Sequence, residues 1–280
     1  MDFRLSSEKI GNPLLVDLLR KISKCFAEIN QTYYVIGATA RDLIVRQLVG
    51  IASSRRTRDL DLAIAIPNWS AFDNITEVLL ARGLTKDPKM KQRFYDGDYE
   101  LDLVPYGAVA KLDDHIYWPP EEDIAMSVKG FAEVLSDAIT VSIDGAFDIK
   151  IASLHGLFIL KFNAWMDRHN MATRKDADDM EFIIRHYFFA NLSRNPRPEV
   201  YDWIDFDEWI VGAYWLAHDI SRLPPVEQLR FYAERLEEEC RKSERSHLIL
   251  QMLEADSTLK FEQVYDGLSR MFQVWNGISQ

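Results

Sequence analysis

Three aspartates carry the pattern from which chemistry can be read. Asp59 and Asp61 stand two apart at the head of an apolar run, DLDLAIAI over 59–66. Alternate residues of a strand share a face, so both carboxylates point one way while Leu60 and Leu62 pack on the other. Asp102 repeats the theme inside Leu101-Asp102-Leu103-Val104. A charge in such a run is costly unless it is compensated. Each acid taken singly reads as a strand-end group paired with Arg55, Arg56 or Arg58. The D-x-D together with a separate third acid favours a divalent-metal site instead, with Asp59, Asp61 and Asp102 as ligands and catalytic groups. Hard oxygen donors on two strands suit Mg²⁺, with Mn²⁺ as its substitute. A pair of such ions can clamp the attacking and leaving oxygens of a phosphoryl or nucleotidyl transfer. Arg93, beside the third acid, either steers phosphate or pairs with an aspartate across its hairpin.

These side chains need elements to position them. Upstream, YYVIG reads as a strand ending at Gly37, and TARDLIVRQL as a helix opening just after it. That junction turns free backbone N–H groups and the positive end of a helix toward one place, a ready cradle for phosphate. A helix is expected over 14–29, a polar connector over 51–58, and a strand over 60–66 stopped by Pro67. A further helix follows from Trp69 to Arg82. KQRFYDGDYELDLVPYG reads as two strands around Asp96-Gly97-Asp98, and ITVSID with FDIKIA as another pair around Gly145. Residues 112–123 read as an irregular acidic loop. After Ser153 the period becomes helical, with Pro196 and Pro198 marking an exposed break. The expected architecture is α/β (α+β): a mixed-sheet core over 1–152, then a helical domain over 153–280 that completes the cleft.

Composition bounds the alternatives. The chain has 280 residues, room for one or two domains at about 150 residues each. Hydrophobic residues make up 48 %, which rules out disorder over the whole length. Net charge is −11, which argues against a broad electrostatic grip on nucleic acid but leaves room for a local basic patch. Cys25 and Cys240 match no zinc spacing and form no disulfide framework, so a reducing, cytoplasmic compartment fits. MDFRLSSEKI lacks an apolar h-region, and no apolar run approaches a membrane span, so neither a signal peptide nor a membrane partner is expected.

VIGATARDL, RRTRDLDLAI and ELDLVPYG together resemble the nucleotidyltransferase fold shared with DNA polymerase beta. Within that superfamily the sequence is most similar to AbiEii-type nucleotidyltransferases, the toxin-like half of abortive-infection and toxin–antitoxin pairs. Their R-x-T-x-D-x-D segment matches Arg55, Thr57, Asp59 and Asp61. Their L-x-x-x-K-x-x-A-x-x-x-R helix matches Lys161, Ala164 and Arg168, and the following K-D-x-x-D matches Lys175, Asp176 and Asp179. The resemblance covers about residues 30–190. It implies a nucleotide site formed by Gly37, Ala38, Thr39, Arg55, Thr57, Lys161 and Arg168. Lys161 and Arg168, two helical turns apart on one face, would meet the triphosphate. Asp176 would serve as base or orienter for the acceptor hydroxyl. Position 38 is Ala where the family has Gly or Ser, so Thr39 would supply the hydroxyl to phosphate.

The implied reaction moves a nucleoside monophosphate from an NTP to a hydroxyl on an RNA end such as tRNA, or on a protein. An antitoxin protein is the implied partner. A small-molecule acceptor, as in aminoglycoside-modifying relatives, is the enzyme alternative. A non-catalytic partner-binding module, its carboxylates serving only as ion pairs, is the alternative of another class. His155 and His169 flank the Lys161 helix. The aromatic series Tyr201, Trp203, Phe206, Trp209, Tyr214 and Trp215 reads as helical core or partner surface.

Overall fold

The computed structural model describes residues 2–51, 58–122, 125–168 and 173–278. Arg55, Arg56, Thr57 and His169 therefore lie outside the described residues. The chain divides into two compact units, Met1–Ser153 and Leu154–Gln280. The architecture is the mixed-sheet α/β core followed by helices that the sequence predicts.

The first unit begins with β1 (Asp2–Leu5) and α1 (Ser7–Ile10). In α2 (Pro13–Glu28), Pro13 opens the first turn and the Asn12 side chain accepts from the Leu15 N–H, the usual means of satisfying an orphan donor. Its buried stripe runs through Leu18, Leu19, Ile22 and Phe26. Then come β2 (Tyr33–Ile36), α3 (Gly37–Val49) and β3 (Asp59–Ala65). Asn68 caps α4 (Trp69–Ala81). The strands β4 (Thr85–Lys86), β5 (Arg93–Asp96) and β6 (Tyr99–Tyr106) follow, the last two joined through Asp96-Gly97-Asp98 as expected. The unit closes with β7 (His115–Tyr117), β8 (Ala125–Ser127), α5 (Phe131–Ser136), β9 (Ile139–Ile143) and β10 (Phe147–Ile151).

Eight of these strands form one mixed sheet in the order β1-β9-β10-β2-β3-β6-β5-β4. The pair β3–β6 sits inside it, parallel, with β2 antiparallel on one flank and β5 antiparallel on the other. Leu60, Leu62, Leu101 and Leu103 are fully buried on the face turned from the acids. Two parts of this unit differ from the sequence reading. The amino-terminal segment forms β1 because it finds β9, with Asp2 opposite Thr140; a partner so distant in sequence leaves no local signal. The 112–123 loop contains β7, paired with β8 and anchored by the buried Ile116 and Trp118.

The second unit is helical among its described residues. Its helices are α6 (Leu154–Arg168), α7 (Lys175–Asn191), α8 (Glu208–Ile220), α9 (Val226–Lys242), α10 (His247–Ala255) and α11 (Phe261–Ile278). A short 3-10 turn, Pro198–Asp202, occupies the expected proline-marked break. The aromatic series divides: Trp209 and Trp215 are core, while Tyr201 and Phe206 are exposed and stacked on each other. No described helix is long and apolar enough to cross a membrane.

A polar clamp ties α7 to α8. Asp219 accepts from the buried Tyr187 hydroxyl at 2.6 Å and from Arg194 Nη1 at 2.9 Å. Burial pushes the Asp219 carboxyl up, but the bonds from Arg194 and Tyr187 outweigh it and leave the group below its ordinary value of 3.8. A depressed folded-state value means stabilisation that is complete above the ordinary range and lost as pH falls through the folded one. Asp219→Asn should cost about 1–3 kcal/mol near neutrality, since a buried donor loses its charged partner. The acid side of its stability curve should also be flatter than the wild type's. Denaturant melts at about pH 7 and about pH 3 measure both effects.

Candidate active site

The register of β3 and β6 places Asp61 opposite Asp102 and Asp59 opposite Glu100. Partners across parallel strands share a face, about 4.8 Å apart. Four carboxylates thus project from one side of two adjacent strands. Leu60 and Leu62, as the alternation requires, are buried on the other side. Asp59 is exposed, and Asp61, Glu100 and Asp102 are half-buried.

The third strand supplies compensation. On β5, Arg93 stands opposite Asp102. It donates through Nε to Oδ1 and through Nη2 to Oδ2 of Asp102, each at 2.8 Å, and its Nη1 lies 2.5 Å from Oε2 of Glu100. These interactions, the bonds donated to Asp102 foremost, push the guanidinium pKa above its already high ordinary value. Of the two readings the sequence offered for Arg93, the structure shows the ion pair across the hairpin.

On the opposite flank, Ile36 at the end of β2 pairs with Asp61, and α3 opens at Gly37. Gly37 has φ +66°, and a Cβ there would fall 2.1 Å from Oδ2 of Asp61. Only glycine lets the Asp61 carboxylate lie over this backbone. No side chain caps the start of α3, so the partial positive charge of its first turn stands beside that carboxylate. Ala38 lies in this turn. Thr39 is buried, and its Oγ1 donates to the main-chain carbonyl of Asp59 at 3.0 Å. The hydroxyl expected to meet phosphate is therefore committed to anchoring β3.

The donor set suits a hard divalent ion. Asp61 and Asp102 are adjacent carboxylates beside a backbone that a Cβ would fill, and Mg²⁺ is commonly held by one or two carboxylates plus substrate phosphates. Among the described residues, no group of three or more His, Cys, Asp or Glu side chains is placed to hold a metal ion. Asp59, Asp61 and Asp102 share a face, then, without converging on a single point, and the fit is to the Asp61–Asp102 pair. A cavity of about 470 Å³ is lined by Asn12, Thr39, Asp42, Arg46, Arg58 and Tyr99 among others.

In the helical unit, Lys161 and Arg168 on α6 meet the acids of α7. Arg168 donates to both oxygens of Asp176, through Nε at 2.6 Å and Nη2 at 2.7 Å. Lys161 Nζ lies 2.6 Å from Asp179 and 3.7 Å from Asp176. The Asp176 side chain is 3 % exposed, against 22 % for Lys161 and 45 % for Arg168. The hydrogen bonds it donates to Asp176 push the Arg168 pKa up. This buried carboxylate, engaged on both oxygens, holds the Arg168 guanidinium in place. Complementary spacings, seven on one helix and three on the next, were the signal for this ladder. Sequence reasoning passed over Glu100, although ELDL at 100–103 mirrors DLDL at 59–62 and puts Glu100 on the face of Asp102.

No protein-family model and no curated protein sequence matches the chain. Two of the solved structures similar to it are of one protein. One is the solution structure of the antibiotic-resistance factor ANT(2'')-Ia, at TM-score 0.36 and 14 % identity, covering 68 % of this chain and 96 % of that one. The other is the crystal structure of ANT(2'')-Ia in complex with adenylyl-2''-tobramycin, at TM-score 0.36 and 12 % identity, covering 65 % and 98 %. At that score the likeness carries no weight for fold or function.

Gly37→Ala should cost about 1–3 kcal/mol in strain at a left-handed backbone position and displace the Asp61 carboxylate. A thermal melt measures the first effect, and loss of Mn²⁺ binding the second. An alanine variant as stable as wild type would show that Asp61 does not rest on this backbone.

Proposed function

We propose that the protein is a metal-dependent nucleotidyltransferase that moves a nucleoside monophosphate from an NTP to a hydroxyl acceptor, with pyrophosphate leaving. One observation carries the reading: Asp61 and Asp102 stand in register on adjacent parallel strands, beside a helix that opens at a glycine lying under Asp61. Asp61 and Asp102 hold Mg²⁺, or Mn²⁺ in its place, and the exposed Asp59 extends the same acidic edge. The bound ion supplies charge neutralisation at the triphosphate and a Lewis acid for the reacting oxygens.

The chain's own groups do the rest. The uncapped first turn of α3, Gly37 to Thr39, receives phosphate oxygens through backbone N–H groups. In the helical unit, Lys161 and Arg168 keep the triphosphate role the resemblance gives them, and Asp176 and Asp179 fix their geometry. Arg55 and Thr57 keep the role the resemblance gives them. The acceptor oxygen bonds to the α-phosphorus as the bond to pyrophosphate breaks, and no group of the enzyme becomes covalently modified. Catalysis is positioning plus charge neutralisation.

For the acceptor, the AbiEii-type resemblance supports an RNA end such as tRNA, or a protein hydroxyl, with action in the cytoplasm and an antitoxin as partner. The net charge of −11 favours the competing small-molecule acceptor, because an extended RNA contact wants cations.

The test incubates wild type and Asp61→Asn with the four labelled NTPs, Mg²⁺, total RNA, lysate protein and an aminoglycoside mixture. Wild type should label one acceptor class, and the variant should lose at least about a hundredfold, or about 2.7 kcal/mol of barrier lowering. Equal labelling by both proteins would remove the reading.

A further inference from the structure

The carboxylate face carries its own cation, and that cation occupies the group on which the proposed chemistry depends. Arg93 takes both oxygens of Asp102 from the β5 side, while Asp61 flanks Asp102 from the β3 side. An ionised carboxylate has about four acceptor sites, so an ion bridging Asp61 and Asp102 would share Asp102 with a guanidinium. Two cations on one carboxylate repel each other. The third arm of Arg93 is held separately, by Glu100 at 2.5 Å. Release from Asp102 would therefore leave Arg93 tethered on the same face, with a planar fork of donors open. That fork matches phosphate geometry bidentately.

We infer that Arg93 is an exchange residue: it neutralises Asp102 when the site is empty, and gives Asp102 up to the divalent ion and turns to the phosphates of the incoming nucleotide. The inference rests on the nucleotidyltransferase reading and adds to it a nucleotide-binding residue. Its physical content is an antagonism followed by a cooperation. Arg93 opposes metal binding while no nucleotide is present. It favours nucleotide binding once the metal is in place. Glu100 is the positioning residue that keeps the guanidinium within reach during the exchange.

The two halves are read by different measurements. Mn²⁺ binding to the full chain without nucleotide, followed by electron paramagnetic resonance, should be about tenfold tighter in Arg93→Gln than in wild type. That is the factor a unit charge about 6 Å from a doubly charged ion exerts even at the dielectric constant of water. The gain should vanish in the Asp61→Asn/Arg93→Gln double variant. With Mn²⁺ saturating, Arg93→Gln should bind a non-hydrolysable NTP at least about tenfold more weakly, the worth of one charge-assisted bidentate pair. Arg93→Lys keeps the charge but not the fork. It should leave Mn²⁺ affinity near wild type and still weaken the nucleotide, and it serves if the glutamine variant fails to fold. Unchanged or weaker Mn²⁺ binding in Arg93→Gln would overturn the antagonism and make Arg93 a support for Asp102. Unchanged nucleotide affinity would overturn the exchange. Wild type that binds no Mn²⁺ at all would remove this inference and the parent reading together, whereas failure of the first two comparisons alone leaves the parent reading intact.

Discussion

Asp61 and Asp102 lie side by side because β3 and β6 run parallel and in register, and that pairing imposes the constraint from which the rest of the first unit follows. Like charges directly opposite each other on neighbouring strands repel. The sheet accommodates them by what it places on either flank. On one side β5 brings Arg93 opposite Asp102. On the other, β2 ends opposite Asp61 and the chain turns at Gly37 into the positive end of α3. The leucines that alternate with the acids fill the opposite face, so the strands stay in place although one side of them is polar. Acid, cation and helix terminus form a single electrostatic arrangement, and removing any one of them leaves the others unbalanced.

The helical unit solves a similar problem with its own charges. Asp176 is buried, and burial of a carboxylate is tolerable only when it is paired and hydrogen-bonded. Arg168 supplies two bonds, and Lys161 bridges toward Asp179. Asp219, Tyr187 and Arg194 repeat the arrangement between α7 and α8. In both places the cation remains more exposed than the acid that holds it. A network of this form buries the acid and leaves its cation nearer the solvent.

Much of this was legible in the chain itself. The i, i+2 spacing of Asp59 and Asp61 inside an apolar run determined that both acids share a face, because a strand alternates whatever its neighbours are. The change of period after Ser153 determined that helices follow the sheet. The strand–Gly37–helix junction was readable because a glycine between a strand-like run and a helical one is a local turn signal, although the contact with Asp61 that excludes a Cβ there was not. Elements whose stability comes from distant partners were not readable. The first strand depends on pairing with residues near 140, and the strand within the 112–123 loop depends on its hairpin partner and on two buried side chains. Thr39 illustrates the same limit at one residue: its type suggested a phosphate contact, and its fold neighbour, the carbonyl of Asp59, claimed the hydroxyl.

By itself, then, the sequence determined which residues are acidic, which faces they occupy and where a helix starts, since those properties arise from local geometry and alternation. Only the tertiary structure decided who neutralises whom. Pairing Asp102 with Arg93 and Asp176 with Arg168, and laying Asp61 close over Gly37, requires that separate elements be brought within a few ångströms. Electrostatic partnership depends on distance in space, and spacing along the chain leaves that distance open.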